Sequence, residues 1–249
     1  MILVKVNAVE VLRAELARPG WQRGMVAVGT ATDPYQPIEG RYRLTRGILE
    51  ALADARTPAS VVTKGPMVIR DRDVLAAVRD RAGVSVCVSL TTLDPDRWRR
   101  LEPGTAPPHQ RLRAVEVLAT AGIPVGVLLA PIVPGLTTDR ANLEAVVRGA
   151  AEHGAAFLGA GVLHLAPGVR EHFDGFLSAE APELLPLYRR LYPGTRAPAG
   201  VERSLGATVA DLRRRYGLAD RPSPALGSGE PARDDASRRV TESQLSLGF

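Results

Sequence analysis

Short apolar runs alternate with amphipathic stretches along most of the chain. Runs such as Val125–Ala130 and Phe157–Leu163 are continuously apolar, which is typical of strands buried on both faces of a parallel sheet. Between the runs the apolar residues recur with helical spacing, as at Leu112, Val115 and Leu118. The predicted strands are Leu3–Val6, Met25–Gly29, Ser60–Thr63, Val84–Leu90, Val125–Ala130 and Phe157–Leu163. The predicted helices are Val9–Ala17, Tyr42–Ala55, Arg72–Arg81, Gln110–Ala121, Arg140–Glu152, Glu183–Tyr192 and Val201–Tyr216.

This alternation of strands and helices predicts βαβ units and an α/β fold. No GxGxxG sequence follows the first predicted strand, so the pattern argues against a dinucleotide-binding fold. A whole or partial α/β barrel fits better. In such barrels the functional residues lie at the carboxyl ends of the strands.

Polar side chains follow several of these strand ends. The stretch Met25–Pro37 changes at Gly29 from apolar residues to hydrogen-bonding ones. A lysine directly after a strand, as at Lys64, suits the binding of a carboxylate or a phosphate. Any one of these residues is typical of an ordinary turn, but together they predict a pocket for a polar ligand with an anionic group. The residues concerned are Thr30, Thr32, Asp33, Tyr35, Lys64, Ser89 and His164.

Charge and composition narrow the classes of function. The formal net charge is +5, with 32 basic and 27 acidic residues, which indicates either an arginine-rich surface or a nucleic-acid face. Aromatic residues make up only 4% of the chain, which argues against a base-stacking platform. No apolar run approaches the ~18 residues of a membrane span, and the N-terminus does not resemble a signal peptide. We therefore expect a cytoplasmic protein without a membrane partner.

The chain has a single cysteine, Cys87. One cysteine excludes a disulfide within the chain and any metal site built from several cysteines. Because Cys87 stands in an apolar strand pattern, we predict a buried and inert thiol.

Six motifs carry a resemblance to a known family. They occur in the order VKVNAVEVL, GTATDPYQPIEG, VVTKGPMVIRD, VSLTTLD, LEPGTAPPHQRLRAVEVLATAGIPVGVLLAPIVPG and GAGVLHLAPGVREHF. From about Leu3 to Tyr216 the chain resembles an actinobacterial group in the spore photoproduct lyase-like (SplB-like) branch of the radical S-adenosylmethionine (SAM) proteins. The resemblance implies a partial (β/α)6 TIM-like barrel with C-terminal helices in residues 1–218. Residues 219–249, rich in proline, glycine, serine and charge, are expected to form a disordered tail.

The resemblance also implies an activity. In this family a [4Fe-4S] cluster cleaves SAM reductively to a 5′-deoxyadenosyl radical, which here would act on an unknown substrate. A substrate related to nucleic acids is one candidate. Asp33 and its neighbouring threonines would lie toward the amino end of SAM, Lys64 at its carboxylate and Ser89 at its ribose. Tyr35, Glu102 and His164 would contact the substrate or fix loops. The implied SAM-binding residues are Thr30, Thr32, Asp33, Lys64, Ser89, Ala130, Pro131 and Ile132.

Two departures from the family pattern bear on this expectation. The family holds its cluster with three cysteines in a CxxxCxxC loop that follows the first strand, whereas this chain begins at Met1, almost on the VKVN segment. We therefore expect the first strand and the cluster ligands to be missing, through a misassigned start, an interrupted gene or decay, and the chain alone to be inactive. In addition, Thr30 stands where the lyase has a hydrogen-donating cysteine, which argues against thymine-dimer repair by that route.

The alternative is a non-catalytic protein that binds a nucleotide or a partner. The last six residues, QLSLGF, resemble the short peptides that dock on the bacterial DNA sliding clamp. Gln244 would be the polar contact, and Leu245, Leu247 and Phe249 would enter an apolar pocket. An apolar tail end without a partner is the other interpretation of this segment.

Overall fold

The computed structural model describes residues 4–218 and places a single parallel sheet at their centre. Its five strands follow one another in the order β1-β2-β3-β4-β5, and every neighbouring pair is parallel. This arrangement confirms the predicted α/β class and the partial barrel. The strands are β1 (Val26–Val28), β2 (Ala59–Thr63), β3 (Val84–Ser89), β4 (Val125–Ile132) and β5 (Phe157–Val162).

Helices connect the strands and close the carboxyl-terminal side of the fold. All seven predicted helices are present, with ends shifted by a few residues. The sequence pattern missed α2, α5 and α8, of which α2 and α5 are only four and seven residues long. The helices are α1 (Ala8–Leu16), α2 (Glu39–Tyr42), α3 (Leu44–Asp54), α4 (Arg72–Arg81), α5 (Pro95–Leu101), α6 (Pro108–Thr120), α7 (Arg140–Glu152), α8 (Val169–Glu180), α9 (Leu185–Leu191) and α10 (Ala199–Arg215).

One predicted strand is wrong. Val4 and Lys5 have no regular structure and Val6 lies in a turn before α1, whereas Leu3 lies outside the described residues. Val6 is 67% exposed. A short apolar run can form a buried strand only if a neighbouring strand pairs with it, and no described strand pairs with Val4–Val6.

The main core lies between the sheet and the helices packed on it. All six residues of β3 are buried, Ser85 and Ser89 included, as expected for a strand that is covered on both faces. Val61, Val86 and Val127 of three neighbouring strands are fully buried together with Leu49 of α3 and Leu75 of α4. A second, smaller cluster joins the carboxyl-terminal helices and includes Leu165, Leu177, Tyr188 and Tyr192.

Gly29 ends β1 and brings the chain close to β2. Its φ of 97° lies in the region that favours glycine, and a Cβ atom at this position would lie 2.2 Å from the carbonyl oxygen of Val62. Any other residue would therefore push the two strand ends apart. This close approach places Asp33 beside the exit of β2.

The QLSLGF segment with Gln244, Leu245, Leu247 and Phe249 lies outside the described residues. Within residues 4–218, no helix is both long enough and apolar enough to cross a membrane.

Candidate ligand site at the strand ends

Asp33 holds the chain leaving β1 against the end of β2. Its Oδ1 accepts hydrogen bonds from the Thr63 hydroxyl at 2.6 Å and from the Tyr35 amide at 2.8 Å. Its Oδ2 accepts from the backbone amide of Lys64 at 2.6 Å. Both carboxylate oxygens are thus engaged within the protein, and Asp33 fixes the backbone from which the Lys64 side chain extends.

Lys64 leads into a charged cluster of three side chains, Lys64, Glu102 and Arg111, which we call the Glu102 cluster. The Lys64 Nζ lies 2.6 Å from Oε1 of Glu102, and Nη1 of Arg111 lies 2.8 Å from Oε2. The side chain of Lys64 is 35% exposed, whereas those of Glu102 and Arg111 are only 8% and 1% exposed. Two cations share one carboxylate, so the cluster keeps one net positive charge and offers it to ligands through Lys64.

Arg111 ties this cluster to the surrounding backbone. Its guanidinium donates to the carbonyl oxygens of Ser89 at 3.0 Å and Ala106 at 2.8 Å, and to the Thr105 hydroxyl at 2.6 Å. These bonds satisfy a fully buried cation, which would otherwise destabilise the fold. Sequence reasoning missed Arg111. The sequence feature that could have revealed Arg111 is its place four positions before Val115, where a charged residue stands within the apolar stripe of α6.

Glu102 stays ionised in this buried position. Burial by itself would raise its pKa, but the charges of Arg111 and Lys64, and their hydrogen bonds, hold the pKa of Glu102 below its ordinary value. The carboxylate also accepts a 3.3 Å hydrogen bond from the Thr91 hydroxyl. Glu102 thus contacts Lys64, Arg111 and Thr91 within the protein.

The ends of β3 and β4 meet beside this cluster. The Ser89 hydroxyl donates to the Ala130 carbonyl oxygen at 2.9 Å, while the carbonyl of Ser89 is held by Arg111. Ala130 and Pro131 are half-buried, and Ile132 is buried. Ser89 itself is buried, with 5% of its surface exposed.

The remaining predicted site residues are less closely joined to this network. Thr30, Thr32 and His164 are exposed, and among residues 4–218 no hydrogen bond links their side chains to the Glu102 cluster. Tyr35 is buried beneath the rim, by which we mean the edge formed by the carboxyl ends of the strands. Its desolvation and the neighbouring Asp71 carboxylate raise its pKa well above the ordinary value. Only 3% of the surface of Tyr35 is exposed.

The described residues do not fit an iron–sulfur cluster. A [4Fe-4S] cluster is held by cysteine thiolates, and Cys87 is fully buried in β3, where burial raises its pKa to about 12. This confirms the predicted buried thiol. Within residues 4–218 there is also no group of three His, Cys, Asp or Glu side chains that could hold a metal ion.

The comparisons with known structures agree with this architecture. A spore photoproduct lyase mutant with bound AdoMet and dinucleoside spore photoproduct superposes with a TM-score of 0.66 at 15% identity. The superposition covers 88% of this chain and 66% of the lyase chain, so the chain spans slightly less than two thirds of that enzyme. At this identity the likeness establishes the fold. The chain therefore shares the α/β partial-barrel fold of that lyase.

The sequence comparisons show to which family the chain belongs. The chain is 41% identical over 232 residues to "Uncharacterized protein Rv2578c" of Mycobacterium tuberculosis and, equally, to "Uncharacterized protein Mb2609c" of Mycobacterium bovis. The match covers 93% of this chain and 68% of each relative. "Uncharacterized protein MJ0683" of Methanocaldococcus jannaschii is 28% identical over 114 residues, or 46% of this chain and 42% of that protein. A scan against protein-family models finds no match. The chain belongs to the family of the two mycobacterial proteins.

Proposed function

We propose that this chain is the SAM-binding body of a radical SAM enzyme, and that SAM lies at the carboxyl ends of its strands. The observation that carries the proposal is the Glu102 cluster, because its single excess positive charge reaches solvent through Lys64 at the rim. The carboxylate of SAM would neutralise this charge. The fold shared with spore photoproduct lyase supports the same position.

Different rim residues would contact different parts of SAM. Lys64 would bind the carboxylate, and Asp33 would position Lys64 through the backbone amide that it holds at 2.6 Å. Ser89 would accept a hydrogen bond from a ribose hydroxyl, because its own proton is already donated to Ala130. Ala130, Pro131 and Ile132 would form the half-apolar surface beneath the adenine.

The chemistry beyond binding requires a group that the described residues do not supply. In the radical SAM proteins that the chain resembles, a [4Fe-4S] cluster would supply the reductive cleavage of SAM, and the only cysteine of the chain is buried in β3. SAM binding is therefore the part of the function that these residues can perform. For the whole enzyme, we propose a substrate related to nucleic acids.

Replacement of Lys64 tests the proposal. We expect Lys64→Gln to weaken SAM binding in isothermal titration calorimetry by about tenfold or more, because a charge-assisted hydrogen bond contributes roughly 1.5–3 kcal/mol. Lys5→Gln is the matched control, since Lys5 is exposed and lies far from the strand ends in sequence. Equal affinities of the two variants, or no binding of SAM to the wild-type chain at millimolar concentration, would contradict the proposal. A thermal melt of Lys64→Gln separates lost binding from lost folding.

A further inference from the structure

A second charged surface lies at the opposite, amino-terminal ends of the strands. The loop before β1 and the loop before β2 border an open groove of about 630 Å³. Three arginines, Arg18, Arg23 and Arg56, line this groove together with Trp21. We call this surface the arginine groove.

The charge of the arginine groove is not balanced locally. Among residues 4–218, neither Arg23 nor Arg56 has a carboxylate within salt-bridge distance, while Arg18 pairs with Glu15. The one acidic side chain in the wall, Asp54, is already bound by Arg13 at 3.2 Å and by Arg81 at 2.9 Å. The surface therefore presents at least two guanidinium groups that are ready to bind anions.

The backbone of Arg56 gives independent support for a ligand. Arg56 has a φ of 49°, in the left-handed region that disfavours residues with a Cβ atom. It follows α3, and the amides of Arg56 and Thr57 donate to the carbonyls of Ala53 and Leu52.

Helices α6, α7 and α10 end with the same pair of hydrogen bonds and carry glycine at the equivalent position. These glycines are Gly122, Gly154 and Gly217. The chain thus uses the favoured residue at three such helix ends and a strained arginine at the fourth, which faces the arginine groove. A strained residue that carries a charge into a groove points to function rather than to stability.

Trp21 indicates which class of anion the arginine groove would bind. Its indole Nε1 donates to the Thr57 hydroxyl at 3.1 Å, which anchors the edge of the ring beside Arg56. The ring is half-buried and forms part of the groove wall. An open, basic groove with an anchored aromatic ring combines the two features by which proteins hold single-stranded nucleic acids, namely phosphate contacts and base stacking.

We propose that the arginine groove binds single-stranded nucleic acid, with Arg23 and Arg56 on phosphates and Trp21 against a base. This site goes beyond the proposed SAM site and lies at the other end of the sheet. The low aromatic content of the chain, 4%, argues against a platform of several stacked bases, whereas this site needs only one indole ring.

Fluorescence anisotropy with a fluorescein-labelled oligothymidylate of 12 nucleotides, at several salt concentrations, tests the proposal on the full chain. We expect Arg56→Gly and Arg23→Gln each to weaken binding by about threefold to tenfold and to reduce the salt dependence by about one phosphate contact. Trp21→Leu should weaken binding by about fivefold or more while leaving the salt dependence unchanged. Arg148→Gln, an exposed change on α7, is the control and should stay within about twofold.

Arg56→Gly also guards against a folding artefact. Glycine is the favoured residue at this helix end, so the variant should melt at the wild-type temperature or above it. Its affinity for SAM should not change, which separates a failure here from a failure at the Glu102 cluster. The proposal is overturned if the wild-type chain does not bind the oligonucleotide in 50 mM salt, if Arg56→Gly and Arg23→Gln bind as tightly as wild type, or if Arg148→Gln weakens binding as much as they do.

Discussion

Glu102 shows how single residues set the electrostatics of this protein. Its carboxylate is buried, yet it is held between the Lys64 ammonium and the Arg111 guanidinium. Removing one partner from such a cluster leaves an uncompensated charge in a poorly solvated place, which is more damaging than the loss of an exposed ion pair.

The stability of the protein should therefore depend on the ionisation of Glu102. The folded-state pKa of Glu102 lies below its ordinary value of 4.5, so its contribution is complete above about pH 4.5 and is lost as the pH falls through the folded-state pKa. We expect Glu102→Gln to lower the free energy of unfolding at pH 7 by about 3 kcal/mol. This difference should shrink as the pH falls below about 4.5. Urea denaturation at a series of pH values measures both effects.

Glu152→Gln is the control, because Glu152 is 63% exposed and its nearest partner, Arg148, lies 3.9 Å away. It should change the free energy of unfolding by less than about 0.5 kcal/mol. A difference between wild type and Glu102→Gln that stays constant from pH 7 to pH 3 would contradict the assignment.

At the scale of elements, the rim is built by contacts between neighbouring strand ends. Gly29 lets β1 approach β2, Asp33 bonds the two exits together, and Ser89 bonds the end of β3 to that of β4. The rim is thus held in shape by hydrogen bonds between side chains and the backbone of neighbouring strand ends.

Loss of the Asp33 bonds should loosen the exits of β1 and β2 and leave the rest of the sheet unchanged. We expect Asp33→Asn to destabilise the protein by about 1–3 kcal/mol, because amide hydrogens would replace an acceptor facing three donors. Hydrogen exchange should accelerate at the amides of Tyr35 and Lys64, but not in β4. Thr32→Val, on the exposed neighbour, is the matched control. Uniformly faster exchange across the sheet would show that Asp33 acts on global stability instead.

At the scale of the whole molecule, the parallel sheet buries its central strand completely. Cys87 lies in that strand, fully buried and with its pKa raised to about 12 by burial. Since it is the only cysteine of the chain, no other thiol contributes to the labelling. The rate at which Cys87 reacts therefore measures how often the core opens.

We expect Cys87 to react with a thiol reagent at pH 8 only when the sheet opens. The native protein should be labelled at least about a thousandfold more slowly than the protein in concentrated urea, as the equilibrium of global unfolding requires. The time course of labelling, followed by mass spectrometry, measures the ratio. Native labelling at the rate of an exposed thiol would mean that β3 is not the closed centre of the sheet.

The sequence by itself determined the fold class and most of the elements of this protein, and it predicted a site at the strand ends. Continuous apolar runs report burial on both faces of a sheet, and helical spacing reports one buried face; both are local properties of the chain. Local patterns failed at Val4–Val6, where no described strand provides a partner. They also did not predict the helices α2, α5 and α8.

Only the tertiary structure decided what the polar residues do. Asp33 and Lys64 were recognisable as rim residues, but the engagement of Asp33 by three donors depends on β2 lying beside it. The bond between Lys64 and Glu102 and the burial of Arg111 join residues from separate βα units, and the arginine groove joins the loops before β1 and β2. Charge and hydrogen bonding act through distances in space, and those distances are set by the packed sheet rather than by spacing along the chain.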